Sequence, residues 1–289
     1  MPEQPEQNSG AKKWNLIIDV ANGVHANSAV IATKDEYVGN DYPGYAAPLP
    51  EEGGDIMWVE RKVRGQTPIN DSAYLLRTCN HCDNGPCQKV GGDAVQKRED
   101  GIVIIDPVKA KGKKEIADAC PFGAVIWNEE LQLPQHWIFD AHLLDQGWSH
   151  PRCVDVCPVG AIEAVKITDE EMQARVAAEG LEVLRPELKT KPRVYYRNMY
   201  RFNKCFVGGT VLANQGGVME NAENATVKLM KDGAEIGTTT TDEYGEFKID
   251  KLEPDSGAYS VDIQHPELGQ ASAQFELSDS LNVGEIVLT

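Results

Sequence analysis

Beyond residue 205 the chain alternates short β-prone runs with clusters of turn residues. The runs fall at 206–213, 225–230, 234–241, 246–250, 258–264, 271–277 and 283–288. Between them stand Lys231-Asp232-Gly233, Asp242-Glu243-Tyr244-Gly245, Pro254-Asp255-Ser256-Gly257 and His265-Pro266, all turn material. About seven short strands at this spacing predict a two-sheet sandwich. Upstream, Thr168-Asp169-Glu170-Glu171 has the form of a capping box, which predicts a helix running to about Glu179 and stopped by Gly180. Residues 186–204 interleave Lys189, Lys191, Arg193, Arg197, Arg201 and Lys204 with Tyr195, Tyr196, Tyr200 and Phe202. That strip reads either as a partner contact or as an extended segment packed on its own domain.

Composition changes near the same boundary. Residues 206–289 hold four Lys/Arg against fifteen Asp/Glu, while all seven cysteines lie between Cys79 and Cys205. A chain of 289 residues is long for one domain, and 41% hydrophobic content supplies two modest cores. The net charge of −17 argues against a nucleic-acid partner, because binding phosphates takes a basic face. No run approaches the ~20 apolar residues of a membrane span. The opening Met1-Pro2-Glu3-Gln4-Pro5-Glu6-Gln7-Asn8-Ser9-Gly10 lacks the features of a secretion signal. An odd cysteine count with close spacings suits metal ligation in a reducing, cytoplasmic setting better than a disulfide framework.

The strongest chemical signal is Cys79-Asn80-His81-Cys82-Asp83-Asn84-Gly85-Pro86-Cys87, a C-x2-C-x4-C run. Farther on, Cys120-Pro121-Phe122-Gly123-Ala124-Val125 and Cys157-Pro158-Val159-Gly160-Ala161-Ile162 repeat one pattern, Cys-Pro-x-Gly-Ala before an apolar strand start. A ligand run ending in Cys-Pro is typical of bacterial ferredoxin-type clusters. Thiolates suit iron because they are soft, anionic donors. No nucleophile motif and no phosphate-cradling Gly-rich loop is present, and no carboxylate pair is placed for acid–base catalysis.

On these motifs, residues 16 to about 165 resemble the iron–sulfur subunits of dimethyl-sulfoxide-reductase-family molybdopterin enzymes, nearest to the small subunits of its phenol-transhydroxylating branch. The runs Arg98-Glu99-Asp100-Gly101-Ile102-Val103, Ala110-Lys111-Gly112-Lys113-Lys114-Glu115, Ala141-His142-Leu143-Leu144-Asp145 and Lys191-Pro192-Arg193-Val194-Tyr195-Tyr196 add to it. Residues 241–247 and 257–261 resemble transthyretin-like or carboxypeptidase-regulatory-like sandwiches. The implied fold is an α+β ferredoxin-like domain, a degenerate double bacterial-ferredoxin module, followed by that all-β sandwich. The expected divisions are a disordered tail at 1–15, a 4Fe–4S domain at 16–165, a connecting helix and extended segment at 166–205, and the sandwich at 206–289.

The resemblance implies four cysteine motifs, the first paired with the fourth and the second with the third, each cluster taking three cysteines from one motif and the last from its partner. Here the first motif's positions are Gly23, Ala26, Ala29 and Thr33. The second keeps Cys79, Cys82 and Cys87 but ends at Gly91; the third has Ala110, Lys113 and Ile116 before Cys120. The fourth has Trp137 and Asp140 before Cys153 and Cys157. Only Cys79, Cys82, Cys87 and Cys120 then form a complete set, so one 4Fe–4S cluster is expected. Trp137 is expected to fill one vacated volume. His81 reads as a supporting or surface residue outside the ligand set. Cys153 and Cys157 read as leftover small hydrophobes, with zinc or iron binding alongside His136, His142 or Asp140 as the sharper option, and Cys205 reads as structural. Lys109-Ala110-Lys111-Gly112-Lys113-Lys114 reads as a solvated basic loop.

What the resemblance implies is a non-catalytic small subunit. Its large catalytic partner would carry molybdopterin with molybdenum or tungsten and would hydroxylate or transhydroxylate phenols such as resorcinol or pyrogallol. The pair would form a heterodimer or a multiple of it, with the sandwich and residues 186–204 as docking surface and the cluster as electron relay or structural element. The alternatives are an electron-transfer subunit of a different molybdopterin oxidoreductase, or a zinc-binding structural or assembly protein using the same four thiolates.

Overall fold

The computed structural model describes residues 10–23 and 26–289. Two compact units divide the chain: one runs up to Arg61 and takes in Tyr74–Met199, the other comprises Lys62–Ala73 and Tyr200–Thr289. Of the tail expected at 1–15, residues 1–9 lie outside the described residues, and Lys13–Asp19 is a strand rather than a tail. The reason is its position. It pairs antiparallel with Ile162–Ile167 and parallel with Val194–Arg197, so Leu16, Ile17 and Ile18 are buried as a continuous apolar run. A central strand covered on both faces has no alternation to read.

The helix Asp169–Glu179 packs on this sheet through Met172, which joins Ile17, Leu181 and Tyr195 in one apolar cluster. Its capping box is formed: the Glu171 N–H donates to the Thr168 hydroxyl at 3.2 Å, and the Thr168 N–H donates to the Glu171 carboxylate at 2.8 Å. Gly180 takes φ +61° and ends it, a conformation that favours glycine. Within the strip at 186–204, residues 192–196 pack on their own unit. Val194–Arg197 is the sheet's third strand, Tyr195 and Tyr196 are buried, and Arg193 is buried against Asp83, Asp169 and Asn15. A buried arginine with matched carboxylates is satisfied inside its own unit.

In the second unit the strand Cys205–Gln215 is central to one sheet. It pairs antiparallel with Val218–Asn221 and Glu246–Leu252, and parallel with Leu281–Leu288. The other sheet is antiparallel throughout, in the order Ala234–Thr240, Thr226–Lys231, Gly257–His265, Gly269–Leu277. Val207, Val211, Val227, Leu229, Phe247, Val261, Ile263 and Leu288 from both sheets share one core. Asp232 and Gly233 both take positive φ in the hairpin turn, as a tight twisted connection requires.

Residues 62–73, the tip of the hairpin Met57–Gln66 and Ile69–Thr78, belong to this unit. Arg64 is fully buried there. Its guanidinium donates to both Asp250 oxygens at 2.9 Å and to Asp71 at 2.7 Å, and lies 5.3 Å from the Phe206 ring. Arg201 also pairs with Asp71. Burial alone would raise the Asp71 pKa, but hydrogen bonds from Arg64 and Arg201 outweigh it and hold the carboxyl at about 2. A depressed carboxyl pKa stabilises the fold above the unfolded value near 3.8 and loses that contribution as pH falls toward 2. Thermal unfolding followed from pH 5 to pH 2 is therefore expected to show about 2 kcal/mol of acid sensitivity that Asp71→Asn removes. An identical pH slope in the variant would contradict this.

Candidate metal centre

Four free thiols come together from two stretches of the first unit. Cys79 follows the strand Ile69–Thr78, and Cys82 lies in the next loop. Cys87 is the second residue of the helix Pro86–Gly91, whose proline needs no N–H partner at that position. Cys120 follows the short helix Glu115–Asp118. The loop closes tightly at Gly85, where a Cβ would stand 3.3 Å from the Cys87 sulfur and 3.5 Å from the Cys82 Cβ.

The sulfurs feel one another. Burial first, then the charges of Cys120 and Cys87, push the Cys79 pKa well above its ordinary value. Burial is also the main cause that carries Cys82 and Cys87 up to about 11, with neighbouring sulfurs adding to it. Backbone N–H groups of His81 and Gln88 act in the opposite sense on Cys79 and Cys87. Four thiolates gathered this way are unfavourable alone and favourable around a cationic, thiophilic centre. Among the described residues no three His, Cys, Asp or Glu side chains are grouped to hold one metal ion. The donor set fits an iron–sulfur cluster, whose several irons each take one thiolate.

No pattern in the sequence marks Lys97, which supports this loop. Its ammonium donates to the carbonyls of His81 at 2.6 Å and Cys82 at 3.3 Å, and pairs with Asp83 at 2.9 Å. Gln88 donates its amide to the Cys82 carbonyl at 2.6 Å. His81 is buried, which corrects the surface reading. Its Nδ1 accepts from the Val103 N–H at 3.1 Å, and burial lowers its pKa well below the usual imidazole value.

The positions that hold no cysteine are packed. A Cβ on Gly91 would lie 2.3 Å from Val95 Cγ2 and 3.2 Å from Ile116 Cδ1. Ala110 and Ile116 are buried with Val95, Val103, Ile105, Val125 and Leu133, and Cys87 and Cys120 pack against this cluster. Lys113 is half-buried and reaches Asp93 at 4.0 Å. In the other region Ala26 and Ala29 are buried, and Thr33 donates to the Ala29 carbonyl at 2.8 Å. Trp137 is fully buried and stacks on Phe139 at 4.9 Å. Its indole N–H donates to Asp140 Oδ1 at 2.9 Å, beside the Tyr37 hydroxyl at 2.6 Å, while the Arg152 N–H donates to Oδ2 at 2.8 Å. Cys153 and Cys157 are buried close by, and burial, then the Asp140 charge, raises the Cys153 pKa well above normal. His142 is engaged with Glu36 at 2.8 Å, and His136, buried, has its pKa lowered to about 4.

A small α+β unit that gathers four soft donors from two loops is an iron–sulfur protein in class. Residues 70–167 match the 4Fe-4S dicluster domain family. The small subunit of pyrogallol hydroxytransferase from Pelobacter acidigallici is 45% identical over 255 residues, which cover 87% of this chain and 90% of that protein. A tetrathionate reductase subunit of Salmonella typhimurium is 38% identical over 204 residues, 68% of this chain and 77% of its own length. The beta subunit of dimethylsulfide dehydrogenase from Rhodovulum sulfidophilum is 34% identical over 145 residues, 48% of this chain and 44% of its own. The chain belongs to the iron–sulfur small subunits of dimethyl-sulfoxide-reductase-family molybdopterin enzymes, the family of the pyrogallol hydroxytransferase small subunit. Among the described residues no helix is long and apolar enough to cross a membrane.

Truncating Trp137 removes a fully buried indole and leaves an Asp140 oxygen short of a donor. Trp137→Ala is expected to cost roughly 3–5 kcal/mol in thermal or denaturant unfolding and to leave iron content per chain unchanged. Unchanged stability, or loss of iron, would contradict this placement of the side chain.

Proposed function

We propose that this chain is the non-catalytic iron–sulfur subunit of a molybdenum or tungsten bis-pterin enzyme that hydroxylates or transhydroxylates phenolic aromatics. It carries one 4Fe–4S cluster on Cys79, Cys82, Cys87 and Cys120. The observation that carries this reading is the contrast between two neighbouring places. Four coupled thiols gather at one, while Gly91, Ala110 and Ile116 at the other are closed into an apolar core. The 45% identity with a pyrogallol hydroxytransferase small subunit over most of both chains supports the substrate class. The degenerate double-ferredoxin module followed by a transthyretin-like sandwich is the architecture we infer, and a large pterin-bearing partner in the cytoplasm is the implied companion.

When bound, a 4Fe–4S cluster supplies one-electron transfer at the cysteines. The chain's own residues hold it: two loops supply the thiolates, Gly85 permits close approach, and the packed region beside Cys87 and Cys120 excludes water. With a single centre the chain offers no relay of clusters, so it suits a reaction with little net electron export, as in hydroxyl transfer between phenols.

Metal and acid-labile sulfide analysis of the chain purified without oxygen tests the count. About four iron and four sulfide per chain are expected, with both lost in Cys87→Ser and Cys120→Ser. One zinc without sulfide would instead favour a structural zinc protein, and about eight iron or more would contradict the single centre. Purification of the tagged chain from its native host is expected to bring down a large pterin-bearing subunit.

A further inference from the structure

The surroundings of the four thiols are electrostatically lopsided. At Cys82, Gln88 and Lys97 both hold the carbonyl, at 2.6 and 3.3 Å, and the Lys97 ammonium acts electrostatically on the Cys82 and Cys87 sulfurs. Cys79, the most buried of the four, has the His81 N–H acting on it in that sense. The positive charge near Cys82 is incompletely answered. Asp83 is shared between Lys97 at 2.9 Å and Arg193 at 2.6 and 2.8 Å. Arg193 also reaches Asp169 at 3.0 Å, and Asp169 pairs with Lys13 at 2.7 Å. Three cations thus face two carboxylates in this network, and Lys97 is the cation of the three that acts on the Cys82 and Cys87 sulfurs.

We propose that Lys97 sets the redox potential of the centre: its ammonium, pinned by the His81 and Cys82 carbonyls, favours the reduced form. This rests on the reading of Cys79, Cys82, Cys87 and Cys120 as cluster ligands. Uptake of one electron from a low-potential donor oxidises that donor by one electron and makes the four-thiolate centre one charge more negative. A fixed cation held against the backbone carbonyl of a ligand-bearing residue stabilises the added charge, because the site is poorly solvated. Net charge, hydrogen bonds to sulfur and solvent exposure are the levers by which a protein moves such potentials. Lys97 transfers no proton in this role. Asp83 acts against it, as the carboxylate that partly cancels the ammonium.

An EPR-monitored reductive titration of the anaerobically purified chain, with its partner subunit where it follows, separates charge from structure. Lys97→Gln is expected to move the midpoint negative, so that at the wild-type midpoint the reduced-to-oxidised ratio falls at least about tenfold, or 59 mV for one electron. Asp83→Asn is expected to move it the opposite way, and Lys97→Arg to stay near wild type. Unchanged midpoints with the cluster retained, or shifts of the same sign in Lys97→Gln and Asp83→Asn, would overturn the proposal. Loss of the cluster from both variants would assign these residues to structure alone and overturn it as well. A wild-type chain with no iron–sulfur signal would instead refute the cluster reading itself.

Discussion

Four sulfur donors held close together in a half-dry pocket repel one another, and the first unit is built around that constraint. Cys79 is buried outright, and burial together with neighbouring sulfurs raises the cost of ionising Cys79, Cys82 and Cys87. On the function proposed above, a bound cationic centre repays this and couples metal binding to the folding of the loops that carry the four cysteines. The local devices serve the same end. Gly85 lets the loop close, Pro86 starts the helix that carries Cys87, and Lys97 ties the carbonyls of His81 and Cys82.

Residues 70–167 match a domain family described as dicluster, and within that span Ala110 and Ile116 are packed in an apolar core. The two packed regions that hold no complete cysteine set use different chemistry. Beside Cys87 and Cys120 the filling is aliphatic, with Val95 and Ile116 pressed against a glycine that has no room for a side chain. Around Trp137 it is aromatic and polar, with Asp140 accepting from Trp137, Tyr37 and the Arg152 backbone. Burial raises the Asp140 pKa and these hydrogen bonds oppose it. Phe139 and Asp140 both adopt positive φ, a conformation that persists only where the surroundings fix it. Both fillings pack side chains closely, and around Trp137 the Asp140 carboxylate is fully engaged.

Much of the second unit was legible because its strands have one core-facing side and its turns use Gly, Asp and Pro. Observed strands such as Thr226–Lys231 and Gly257–His265 lie within a residue or so of the expected runs. The exposed Val218–Asn221 carries no burial pattern and was not legible. Nor was the membership of residues 62–73, since Arg64 finds Asp250 far away in the sequence. Tyr195 and Tyr196 misled in the other direction: among basic neighbours they look like surface, but parallel pairing with Leu16–Asp19 buries them. The cysteine spacing carried the proposed ligand set, because metal chemistry fixes residue type and spacing together. Lys97 left no mark, because what matters about it is where the fold puts its side chain.

The central claim is that one cluster is held by thiolates from two separate loops while the former neighbouring places are closed. Diffraction from anaerobic crystals recorded on either side of the iron absorption edge tests it directly. A single anomalous feature of cluster size per chain is expected, bounded by the sulfurs of Cys79, Cys82, Cys87 and Cys120. A second such feature near Gly91 and Ile116 or beside Trp137, or no feature between Cys87 and Cys120, would contradict it.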